Sequence, residues 1–89
     1  MSGDAPDWRR IVEDAGADPG IVDVSRWDWC RLRCGVFDVD IVRARTKWRV
    51  YNHTGPRSLD SAIAFALAWL RAETDRRIEE LQAARKRLG

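Results

Sequence analysis

The chain has 89 residues, 45% hydrophobic and 34% charged, with a formal net charge of +2. That length gives one small domain, and that balance excludes global disorder. The longest apolar run, residues 62–70, has nine residues where ~20 are needed to cross a bilayer. No signal-peptide arrangement is present, and the chain is expected to be cytoplasmic. Fourteen Arg beside two Lys and eleven Ala is the bias of a GC-rich genome, so the arginines alone signal no arginine-specific role.

Residues 1–6 read as a flexible N-terminus and residues 7–89 as a single α+β domain. "DWRRIVEDAG" predicts a short helix: Asp7 can N-cap it, Trp8, Ile11, Val12 and Ala15 share one face, and Gly16 stops it. "ADPG" is a turn. "IVDV" reads equally as a brief strand or an extended connection.

From Trp27 to Tyr51 the apolar period is two, which predicts three half-buried antiparallel strands. Cys30, Leu32, Cys34, Phe37, Val39, Ile41, Trp48 and Val50 then form one apolar face. A tight turn at Cys34-Gly35 sets Leu32 opposite Phe37 and Arg31 opposite Asp38. A second at Ala44-Arg45 sets Ile41 opposite Trp48 and Asp40 opposite Arg49, with a longer loop through "RARTK" as the alternative. After the break at "NHTGPRS", a helix starts at Ser58, with Asp60 favourable near its positive end, and runs about 30 residues, or ~45 Å. Strands of five or six residues cover only ~17–20 Å, so residues 72–89 are expected to extend beyond the sheet. The order is αβββα, a three-stranded antiparallel sheet backed by a long C-terminal helix. It resembles, in topology, the double-stranded-RNA-binding domain. That family's second helix begins with a lysine cluster, where this chain has "RSLDSAIAF".

Catalysis finds little support. There is one His, His53, and no Gly-rich phosphate loop or nucleophile in an activating context. Asp38 and Asp40 share a strand face about 7 Å apart, as paired catalytic carboxylates can, but the registers above make them partners of Arg31 and Arg49. Cys30 and Cys34 on a strand are roughly 13 Å apart, too far for a disulfide. With Leu32 between them on the apolar face, they read as buried thiols rather than metal ligands. The expectation is a protein without enzymatic activity, metal or cofactor.

Two binding surfaces remain. On the long helix, Leu59, Ile63, Ala66, Leu67 and Leu70 form the stripe for the sheet, while Ala62, Phe65, Trp69 and Ala72 form a second stripe roughly 130° away. Seven-residue spacing through Leu67, Thr74, Leu81 and Leu88 is coiled-coil-like. Phe65, Trp69, Ala72, Ile78, Leu81 and Leu88 are therefore the leading candidates for protein binding, by homodimerisation or by docking on a larger protein. A compact regulator or inhibitor, such as phage genes encode, matches that size. The alternative is nucleic acid. Charge runs from −4 over residues 1–25 to +5 over residues 26–57. There Trp29, Arg31, Arg33, Lys47 and Arg49 share the outer sheet face, with Arg43, Arg45 and Arg57 in loops. Basic residues interleaved with aromatics suit phosphates and bases.

Overall fold

The computed structural model describes residues 5–87. Of the expected flexible N-terminus, residues 1–4 lie outside that range, as does Leu88. Helix α1 spans Trp8–Asp14, with the Asp7 carboxylate accepting from the Arg10 N–H. Gly16, at φ +89°, ends it, a conformation open to glycine at little steric cost. A 3-10 turn at Pro19–Ile21 leads into β1 (Val22–Ser25), followed by β2 (Trp29–Cys34), β3 (Phe37–Ala44), β4 (Lys47–Val50) and α2 (Leu59–Arg87).

The sheet is a four-stranded antiparallel meander in the order β1-β2-β3-β4. This corrects the three strands read from the sequence: "IVDV" supplies a fourth, and the order is αββββα. The likeness in topology to the double-stranded-RNA-binding domain lapses with that extra strand. β1 escaped the periodicity argument because it has four residues and its pairing shifts between Val22, opposite Leu32, and Val24, opposite Arg31. A bulge there breaks the alternation on which the reading depends.

Both hairpin registers also need correction. Cys34 pairs with Phe37, so the first turn is Gly35-Val36 rather than Cys34-Gly35, with Gly35 at φ +63° in its first position. Arg31 therefore faces Asp40, not Asp38. In the second hairpin Ala44 pairs with Lys47, the turn is Arg45-Thr46, and Val42 rather than Asp40 faces Arg49. Each turn moves by one residue and each register by two, so no side chain changes face. The expected apolar face is intact: Cys30, Leu32, Val39, Ile41, Trp48 and Val50 are buried, and Cys34 and Phe37 half-buried.

Both helices cover that face. From α2 come Ala62, Ile63, Ala66, Leu67 and Leu70, and from α1 come Trp8 and Val12. Trp8, 1% exposed, meets Trp48 edge-on at 5.1 Å, and its indole N–H donates to the Arg26 carbonyl at 2.6 Å. The Ser58 hydroxyl caps α2 through the Ser61 N–H, and Arg85, Lys86 and Arg87 occupy its negative end. Beyond Thr74 every described residue of α2 is exposed, giving a molecule of 60 × 25 × 18 Å. Among the described residues, no helix is long and apolar enough to cross a membrane.

Candidate nucleic-acid interface

With both helices on one side, the second face of the sheet has no covering layer among the described residues. Cross-strand pairing arranges it in rows. Trp29, Val42 and Arg49 make one row, and Val24, Arg31 and Asp40 the next, while Arg33 faces Asp38 beside the first turn. Arg31 closes a two-pronged ion pair on Asp40, Nε to Oδ1 at 2.8 Å and Nη2 to Oδ2 at 3.3 Å, and lies over the Trp29 ring at 5.2 Å. Its hydrogen bond to the carboxylate raises the guanidinium's affinity for its proton. The middle of this face is thus internally neutralised.

The end of the sheet formed by the β1–β2 loop and the β3–β4 turn is different. The loop, residues 26–28, is fastened by main-chain hydrogen bonds from Arg26 N–H to Trp29 O and from Arg43 N–H to Asp28 O, both 2.8 Å. Trp8 holds it from below through the Arg26 carbonyl. The Arg43 guanidinium lies over both Trp27 and Trp48, at 5.8 and 5.6 Å from the ring centres, and its Nε donates to the Arg45 carbonyl at 2.8 Å. Trp27 nonetheless remains 55% exposed. An open cleft of about 460 Å³ is lined by Arg26, Trp27, Asp28 and Trp29. At this end Arg26, Arg43, Arg45 and Lys47 are exposed, and none of them forms a salt bridge among the described residues; Arg49, further along β4, lies over Tyr51 at 5.9 Å. Asp28 is the single acid in this group.

Of the residues expected to bind nucleic acid, Arg43, Arg45 and Lys47 therefore lie at one end, with Trp29 at its margin, while Arg49 lies over Tyr51. Arg31 is engaged by Asp40, and Arg33 sits toward the opposite end. Arg57 is turned away: half-buried, it lies over Phe65 at 5.4 Å and donates to the Ser61 hydroxyl at 3.3 Å. Arg26 and Trp27 were missed. They belong to a loop that interrupts the strand period, and only their closeness in sequence to "WCRLR" could have drawn attention to them.

The residues expected to bind protein divide into two groups. Phe65 and Trp69 are half-buried. Trp69 lies between Phe37, 6.4 Å away and edge-on, and His53 at 4.9 Å; His53 also approaches Phe65 at 6.1 Å. The loop after β4 folds back over this stripe, held by Asn52 at φ +65° and by the Thr54 hydroxyl accepting from the Val50 N–H at 3.1 Å. Ala72, Ile78 and Leu81 are exposed on the projecting half of α2.

Cys30 is fully buried, which pushes its thiol up to about 12, with the Asp40 carboxylate adding to the effect. Cys34 is half-buried, at the edge of an apolar cleft of about 220 Å³ between Ala17, Ile21, Leu67 and Leu70. Among the described residues no group of three or more His, Cys, Asp or Glu side chains is placed to hold a metal ion. No family model, curated protein or solved structure matches the chain.

Proposed function

We propose that the protein is a non-catalytic binding module whose working surface is the basic, aromatic end of the sheet, and that its partner is single-stranded nucleic acid. The observation that carries this reading is that four exposed cations, Arg26, Arg43, Arg45 and Lys47, free of salt bridges among the described residues, share one end of the sheet with an exposed Trp27. Cations left without partners repel one another, an arrangement that a polyanion relieves. Flat side chains among them suit unstacked bases better than a closed duplex. The reading is tested by fluorescence anisotropy with a labelled single-stranded oligonucleotide at ~50 and ~200 mM salt. With three to five phosphate contacts, each adding about 0.7 to the log–log slope, affinity falls roughly 20- to 130-fold across that range. No binding at the lower salt, or binding indifferent to salt, overturns it.

Self-association is a second reading, favoured by Ile78 and Leu81, 49% and 55% exposed on the part of α2 that outruns the body. Static light scattering decides it: a dimer mass abolished by Leu81→Asp supports it, and a monomer at all concentrations removes it. The Phe65–Trp69 stripe supports docking less than the sequence suggested, because the chain's own loop lies over it.

A further inference from the structure

The cleft at the sheet end has more specific chemistry than a phosphate patch needs. It is lined by Arg26, Trp27, Asp28 and Trp29, and its volume falls within the roughly 300–1,000 Å³ of small-molecule sites. Inorganic phosphate would take the guanidinium but be repelled by Asp28, and a purely apolar ligand would leave both charges without partners. Two tryptophans beside an aspartate suit a heteroaromatic ring that carries N–H donors on its edge.

The residues are held in place for that task. Arg43 lies over the Trp27 ring, and Trp27 as a residue stays 55% exposed. Asp28 is fixed through its carbonyl by the Arg43 N–H, and Arg26 by its main-chain bonds to Trp29 and Trp8. The main chain of the loop thus loses little freedom on binding, which favours affinity.

Among nucleobases the carboxylate discriminates. Guanine presents two adjacent donors, N1–H and N2–H, which one carboxylate accepts together. Adenine and cytosine present one amino group beside an acceptor nitrogen, and uracil an N–H between two carbonyl oxygens, so each sets an acceptor against Asp28. Resting on the nucleic-acid reading of the same surface, we infer that this cleft binds a nucleobase, guanine foremost: it stacks on Trp27, Asp28 holds its Watson–Crick edge, and Arg26 takes the attached phosphate. A base in a single strand and a free guanine nucleotide share that chemistry.

The test is isothermal titration of the full chain at ~50 mM salt with GMP, AMP, CMP and UMP, and with equal-length single-stranded oligomers containing or lacking guanine. Guanine-containing oligomers are expected to bind about tenfold or more tightly than the others, the scale of one well-placed pair of hydrogen bonds to a charged group. Trp27→Ala should weaken every oligomer by about tenfold or more, with Trp27→Phe recovering much of the loss. Asp28→Asn should bring the two oligomer classes to the same affinity, with circular dichroism confirming that each variant is folded. GMP bound without any oligomer supports the cleft and assigns it to a free nucleotide. Oligomers bound alike, with Asp28→Asn leaving their ranking unmoved, overturn the base site while the phosphate surface stands. No binding of nucleotide or oligomer overturns both.

Discussion

Trp8→Phe is the substitution that most directly links the core to the binding surface. The indole is 1% exposed, packs edge-on against Trp48 and donates to the Arg26 carbonyl at 2.6 Å. Phenylalanine keeps most of the apolar contact but leaves that part-buried carbonyl without its donor, a loss of about 1–3 kcal/mol. A domain of this length has roughly 4–13 kcal/mol of total stability, so the change is sizeable yet survivable. Trp8→Ala, at about 3–5 kcal/mol, approaches the whole margin. A loss near 2 kcal/mol lowers the melting temperature by roughly 8–16 °C in a domain of this size. Thermal melts followed by far-ultraviolet circular dichroism measure it. The same carbonyl fastens the loop carrying Arg26 and Trp27, so oligonucleotide affinity should fall too, at temperatures where the variant is fully folded. A melting temperature within about 3 °C of the parent, with affinity unchanged, refutes the idea that Trp8 anchors that loop.

Three further outcomes follow from single residues. In the folded protein iodoacetamide should modify Cys34 alone, giving one adduct by mass spectrometry and two in denaturant; rapid double labelling would contradict the burial of Cys30. Because the Cys30 thiol holds its proton up to about 12 in the fold but only to its ordinary 9.0 when unfolded, the unfolded state binds fewer protons between those values. Stability should therefore decline as pH rises through that window, and Cys30→Ala should flatten the decline relative to the parent. Arg45 adopts φ +61° in the β3–β4 turn, which costs a non-glycine residue about 1–2 kcal/mol. Arg45→Gly should raise the melting temperature by a few degrees while weakening oligonucleotide binding. Both readouts moving down together would contradict the assignment.

The apolar face of the sheet was legible because a period of two survives errors in turn placement: moving Gly35 from second to first turn position shifts the register by two and flips nothing. The overhang of α2 was legible from length alone, 29 helical residues against strands of at most eight. β1 was not, since Val22 and Val24 pair out of step across a bulge. The cover over Phe65 and Trp69 was equally hidden. It depends on a left-handed Asn52 and a single hydroxyl hydrogen bond, which reverse the chain after β4 and carry His53 onto the helix. Charge composition located the basic third of the chain, but pairing decided which of its arginines are free. Arg31 is spent on Asp40, whereas Arg26 becomes available because it sits in a fixed loop.

Among the described strands, each pairs only with those next to it in sequence, which bears on how the chain acquires its fold. Closures of two or three residues cost little chain entropy, so the sheet can zip together hairpin by hairpin without a long-range search. The helix that seals its apolar face is translated after the sheet. Between synthesis of Val50 and of Leu70, about 20 residues or roughly 1–4 s of translation, Leu32, Val39, Ile41 and Val50 have only α1 to cover them. That interval is when a nascent chain is most exposed to aggregation, and a rare-codon cluster within residues 51–70 would lengthen it.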